Sequence, residues 1–167
     1  MAARSTPPSP SLAVAGEVEH PGTLTFADLA AIAPEYQVVD VSRLDPKRRG
    51  DAVRLEGLMR RVGVRSTAAW LTLHASRDDF HASIPLAAVR ERAIVIYRVE
   101  GEPLAASAGG PFRFYVPDFA ACHSAEVDEC ANVKFVDRIE FSLQRGYDNR
   151  PHDAAEHAEL HRKEREE

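Results

Sequence analysis

The residues whose types and spacing suit chemistry fall in three places along this 167-residue chain. The first is Arg113, which follows the turn Gly109-Gly110-Pro111, with Lys134 further on at the opening of the apolar run Val133–Leu143. Glycines let backbone approach a ligand closely. A guanidinium offers a planar donor fork matched to phosphate, and a lysine adds a point charge. Together they suit a small anion; the competing reading is two surface charges beside Asp118 and Asp137. The second place is Cys122-His123 with Cys130, and Glu126, Asp128 and Glu129 between them. Thiolate plus imidazole is a zinc-like ligand set, but C-H-x6-C fits no C-x2-C pattern. Two ordinary thiols, a disulfide closing a short loop, and a metal or redox site all stay open. The third is the histidines. His157 and His161 stand four apart, on one face of a helix, with His152 upstream. Such a pair can bind a metal, but the surrounding Glu, Arg and Lys read as a solvated face. His74 and His81 flank a predicted hairpin turn with no nucleophile or base beside them, and read as structural or half-exposed.

Several chemistries are excluded by what is missing. There is no G-x-S-x-G nucleophile signature. No GxGxxG follows a strand and no GxxxxGK[ST] occurs, so neither a dinucleotide nor a P-loop nucleotide is indicated.

The elements that must position these residues are short and mixed. Leu12–Val18 alternates as a strand, and His20-Pro21-Gly22 turns. Thr25 is placed to cap a helix over Phe26–Ile32, with Asp28 in its first turn, and Pro34 ends it. Tyr36–Val41 reads as a strand and Leu44–Val53, with Lys47, Arg48, Arg49 and Gly50, as a polar basic loop. Leu55, Leu58, Met59 and Val62 recur at helical spacing before Gly63 as a C-cap. Ala69–Ala75 and Phe80–Ile84 form a hairpin, and Pro85 opens a short helix to about Glu91. Ala93–Val99 is a strand, Glu100–Pro103 a turn, Phe112–Val116 a strand, Phe119–Asn132 a long connection and Val133–Leu143 the closing strand. No internal repeat is found. Residues 1–11 read as a disordered Pro/Ser leader, 12–145 as one domain, and 146–167 as a polar tail, helical from Ala154. Strands outnumber helices, and hairpins mix with βα units. This pattern predicts a mixed α/β (α+β) domain with short helices around mixed sheets, not a doubly wound parallel sheet.

Composition agrees with that size and class: 44% hydrophobic and 28% charged residues suffice for one core without disulfides. A net charge of −5 argues against nucleic acid as the main partner while leaving room for a local basic pocket. No run of about 18 apolar residues exists to span a membrane. The Ser/Pro-rich start has no apolar h-region and no twin arginine. The expectation is a cytoplasmic protein, where two cysteines are more often free thiols or ligands than a disulfide.

The segment Ile94–Phe141 carries a family resemblance. "IVIYRVEGEPLAASAGGPFRFYVPD" is an apolar strand, a G-x-P-L turn, then G-[GYF]-P-x-R-[LVF]-x-[VI]-P; "NVKFVDRIEF" is a closing V-K-[WFY]-[LV]-x-x-I-E strand. Upstream, "LAVAGEVEHPGTLTFADL", "LEGLMRRVGV" and "LTLHASRDDFHASIPLAAV" follow in compatible order. Over residues 12–145 the chain resembles the molybdopterin-binding domain of the sulfite-oxidase family. The resemblance implies that fold, a molybdopterin cofactor, and oxo or electron transfer. It implies that Arg113 and Lys134, with Gly109 and Gly110, lie around the anionic pterin cofactor. The sequence also departs from the family. The molybdenum there is held by a cysteine thiolate, a soft ligand, in the segment corresponding to Tyr36–Arg54. Here that segment reads Val38-Val39-Asp40-Val41-Ser42 and has no cysteine, nor the aromatic that often follows it. Ala108 stands where many members have His. The alternatives are therefore a noncatalytic binding or scaffold protein that keeps the fold without molybdenum, and a small metal or thiol-redox protein built on Cys122, His123 and Cys130.

Overall fold

The structure, a computed structural model, describes residues 10–118, 127 and 131–150. Most of the expected leader, Cys122, His123 and Cys130, and the tail from residue 151 with His152, His157 and His161 lie outside the described residues.

The chain runs β1 (Ser11–Gly16), β2 (Gly22–Thr25), α1 (Phe26–Ala30), β3 (Gln37–Val38), β4 (Asp51–Arg54) and α2 (Leu55–Val62). It continues through β5 (Trp70–Ala75), β6 (Phe80–Pro85), α3 (Leu86–Val89), β7 (Ile94–Val99), β8 (Glu102–Pro103), β9 (Arg113–Tyr115) and β10 (Arg138–Ser142). One sheet has the order β2-β1-β10-β5-β6; the other has β3-β4-β7-β8, with β9 also paired to β7. β1 and β10 are parallel and the other pairs antiparallel. This is the mixed α/β architecture that the pattern of strands and short helices requires.

Alternation drives the first sheet. Leu12 and Val14 of β1, Leu71, Leu73 and Ala75 of β5, and Ile139 and Phe141 of β10 point one way and are buried. They meet Leu55, Leu58, Met59 and Val62 of α2 in the main core. A smaller cluster of Val38, Val41, Ala52, Ile94, Ile96, Leu104 and Tyr115 covers the other face of the second sheet. α1 starts as its sequence predicts: the Asp28 amide donates to the Thr25 hydroxyl and the Thr25 amide donates to Asp28, a capping box. α2 ends at Gly63 in the left-handed region, also as predicted.

Three expectations are corrected. The β-branched run Tyr36–Val41 yields only the two-residue β3, because Asp40 sits at φ 67 and its carboxylate accepts from the Ser42 amide, starting a 3-10 turn over Val41–Arg43. The expected loop Leu44–Val53 ends in β4, since the fully buried Ala52 and Val53 pair with β7. The closing strand begins at Arg138, not Val133. Phe135 at φ 59 breaks the extended chain, so residues 133–136 lie along β9 while β10 joins the other sheet. β2 occupies the stretch between the expected turn and α1, and β8 falls within the expected turn Glu100–Pro103. At the ends, Ser11 already pairs with Thr25, and residues 146–150 reach Ser83 and His81 of β6.

Candidate functional site

The loop between the 3-10 turn and β4 carries three consecutive cations, and tertiary bonds fix where they go. Asp45 accepts from the Lys47 amide at 3.0 Å and from the Tyr115 hydroxyl of β9. That hydroxyl bond, above all, holds the Asp45 carboxyl below its usual range. Burial and then Asp45 raise Tyr115, which keeps the phenol protonated as the donor. At the other end of the loop Asp51 accepts from the Arg98 side chain at 2.9 Å. Gly50 lies between, at φ 107, and a Cβ there would stand 2.4 Å from the Arg98 carbonyl. Only glycine lets the chain pass so close to β7.

The loop therefore roofs a cleft of about 260 Å³. Lys47, Arg48, Arg49 and Arg113 line it on the charged side, and Ile96, Val99, Leu104 and Ala108 on the apolar side. Strand alternation puts Phe114 in the main core and turns Arg113 and Tyr115 the other way, as the sequence predicts.

The cations in this cleft have unmet donors. The Arg113 Nη1 donates to the Ala108 carbonyl at 3.4 Å, but its buried Nε has no partner. The buried Nε of Arg48 makes no hydrogen bond either; its nearest carboxylate oxygen, on Asp45, is 4.0 Å away. The Arg48 guanidinium lies 5.2 Å from the centre of the Tyr115 ring. Burial, and then the charge of Arg48, push Arg113 below the ordinary arginine range. A guanidinium stays charged all the same, so the shift describes a cation short of compensation. Arg49 pairs with Glu100 at 3.5 Å at the exposed rim.

Arg113 and Lys134 come together across Gly109. A Cβ on Gly109 would lie 3.0 Å from the Lys134 Cγ and 3.3 Å from the Arg113 Cδ. Lys134 is exposed and is brought there from the loop before β10: the Phe135 amide donates to the Gly109 carbonyl, and Val133 exchanges backbone bonds with Phe114. Gly110 has a different task. A Cβ there would stand 1.9 Å from the Leu104 carbonyl, so this glycine permits the close packing of two backbone segments. His74 and His81 are cross-strand partners in the other sheet. Among the described residues no group of three or more His, Cys, Asp or Glu is arranged to hold a metal, and no helix is long and apolar enough to cross a membrane.

The sequence reading missed Lys47, Arg48 and Arg49 as site residues. The available signal was three cations in a row before a glycine, in an acidic chain.

Comparison with known proteins relates the chain to a family. Residues 51–149 match the model of the oxidoreductase molybdopterin binding domain. The chain is 32% identical over 124 residues to the uncharacterized oxidoreductase YuiH of Bacillus subtilis (strain 168), covering 70% of this chain and 61% of that protein. Among solved structures it resembles the sulfane dehydrogenase SoxCD from Paracoccus pantotrophus, with a TM-score of 0.58 and 21% identity over 81% of this chain and 39% of that one. At that identity the likeness concerns the fold. The chain spans less than two thirds of the length of either relative.

Proposed function

The chain belongs to the oxidoreductase molybdopterin binding domain family, and from that membership and the cleft we propose that it holds the anionic, phosphate-bearing end of a molybdopterin against Arg113, Lys134, Lys47 and Arg48. The observation that carries the reading is the pair of buried, unpartnered Nε atoms of Arg48 and Arg113 in one cleft. An unmet buried donor on a cation is costly to leave, and a phosphate oxygen satisfies it with a charge-assisted bond. Gly109 lets the stems of Arg113 and Lys134 lie close together beside the cleft, which supports a shared anion. Ile96, Val99 and Leu104 form the apolar wall, which displaces water and strengthens those bonds.

When bound, such a cofactor supplies oxo or electron transfer; the protein supplies position and field. The donor set suits the anionic end of the cofactor better than its metal. The segment Tyr36–Arg54, where the resemblance expects the family's thiolate, has no cysteine, and its Val41 is fully buried. That supports a second reading, a binding protein that keeps the fold and the anion site without molybdenum.

The deciding experiment is elemental analysis, together with fluorescence of released pterin, on protein made in a host that synthesises molybdopterin. Pterin with molybdenum supports the oxidoreductase. Pterin or phosphate without molybdenum supports the second reading. Neither pterin nor bound phosphate overturns the assignment of the cleft.

A further inference from the structure

The end of the β5–β6 hairpin holds a polar cluster that the cofactor reading does not use. His74 and His81 face each other across the ladder, Nδ1 to Nδ1, at 2.7 Å. Their other ring nitrogens are committed to carboxylates: the His74 Nε2 lies 3.3 Å from Glu140 of β10, and the His81 Nε2 lies 3.0 Å from Asp79 of the turn. Both histidine side chains are only 15% exposed, so water does not replace these partners freely.

Counting protons decides what this arrangement is. Three hydrogen bonds, to Glu140, between the rings, and to Asp79, require three N–H groups. Two neutral imidazoles supply only two between them. With two protons in all, either the Nδ1 lone pairs face each other or one Nε2 lone pair faces a carboxylate. With four, two N–H groups collide at 2.7 Å between two cations. Only the pair carrying one net charge satisfies all three bonds. The separation fits a shared proton. A metal bridging two imidazoles at ordinary bond lengths of about 2.0–2.1 Å in tetrahedral geometry sets their nitrogens well over 3 Å apart.

The surroundings are consistent with a single positive charge. Glu140 is shared with Arg138, 3.5 Å away on the same strand. Asp137 receives the Ser76 amide at 3.4 Å, and Arg77 of the turn covers the Phe135 ring. Asp78 completes the turn. Burial, above all, lowers the proton affinity of His74; Glu140 opposes it, and the charges of His81 and Arg138 lower it further.

The same rung anchors the segment that closes over β6. The Tyr147 ring meets His81 edge-on at 5.0 Å. The His81 amide donates to the Asn149 side chain at 2.8 Å, the Asn149 amide donates to the His81 carbonyl at 3.0 Å, and the Asn149 side chain donates to the Asp79 carbonyl at 2.6 Å. Beyond it, Asp148 and Arg150 pair with each other and bond Ser83.

We propose that His74 and His81 form a proton-sharing pair that acts as an acid-sensitive clasp, holding residues 147–150 on β6 when singly charged and loosening them when a second proton separates the rings. Histidine NMR across pH on the full chain, with amide exchange at His81 and Asn149, tests it. The pair should take up its two protons in two distinct steps, instead of titrating as two independent rings. Exchange at His81 and Asn149 should quicken on the acid step by about tenfold, a local opening that precedes global unfolding. In His74→Gln the carboxylates remain but the shared proton does not, and exchange should be flat across that step. Independent titration of the two wild-type rings overturns the shared proton. An acid step that persists unchanged in His74→Gln assigns it to the neighbouring carboxylates, Asp148 on Ser83 included, and overturns the clasp.

Discussion

The cleft under the basic loop and the histidine rung of the first sheet both gather cationic groups in half-buried places, and they treat their N–H groups in opposite ways. In the cleft, the Nε atoms of Arg48 and Arg113 are buried without partners. At the rung, both ring nitrogens of His74 and of His81 have a partner. The pair Asp148–Arg150, adjoining the rung, is likewise closed: Arg150 is 6% exposed and bonds Asp148 through both Nε and Nη2. A cation whose donors are all satisfied within the chain holds structure together. One whose donors are left over has room for something the chain does not contain. On this basis the cleft, and not the more crowded histidine cluster, is read as the ligand site.

Breaking the closed side should have the largest effect. Arg150→Ala leaves the Asp148 carboxylate buried with much of its compensation removed, and should cost about 3–5 kcal/mol in urea unfolding. The same pair gives a pH dependence. Burial by itself raises Asp148, but hydrogen bonds from the Arg150 side chain and from the Ser83 and Arg150 amides outweigh it and leave the carboxyl lowered. A depressed carboxyl contributes stability that is fully present above its unfolded value, about pH 3.9, and is lost as pH falls through its lower folded value. Acid unfolding of the wild type should therefore steepen below about pH 4, and Arg150→Ala should flatten that limb.

Breaking the open side should do the reverse. Arg113→Ala removes a cation whose Nε has no partner in the chain, so stability should change by less than about 1 kcal/mol, the loss being packing of its stem against Gly109 and a long bond to the Ala108 carbonyl. Anion affinity should fall by about 10- to 100-fold, the worth of hydrogen bonds to a charged group. A loss of stability as large as that of Arg150→Ala would make Arg113 structural and erase the distinction.

The smallest effect sharpens the scale. Arg90 donates to both Glu56 oxygens, at 2.7 and 3.1 Å, on a half-exposed surface. Arg90→Ala should cost no more than about 1 kcal/mol and should become indistinguishable from wild type in high salt.

What could be read from sequence follows the range of the interactions involved. The Thr25 cap, Gly63 after α2, the hairpin of β5 and β6, and the alternation of β9 are set by neighbours a few residues away, and they are legible in the sequence. Asp40 was not: its positive φ lies inside a β-branched run that favours extended chain, and its side-chain bond to Ser42 wins locally. Arg113 and Lys134 were found through a motif. Arg48 reaches the same cleft only because β4 pairs with β7 and Asp45 meets Tyr115, contacts between residues far apart in the chain. The facing of His74 and His81 depends on hairpin register, and the His74 contact with Glu140 on a strand 66 residues later.

The central claim is that the unmet donors of the cleft receive the anionic end of a pterin cofactor. The most direct test is the pterin content of protein purified from a molybdopterin-synthesising host, wild type against the double variant Arg113→Ala, Lys134→Ala, with circular dichroism to confirm that both are folded. The account predicts pterin with the wild type and little or none with the folded double variant. Equal pterin in both proteins would contradict it, as would none in the wild type.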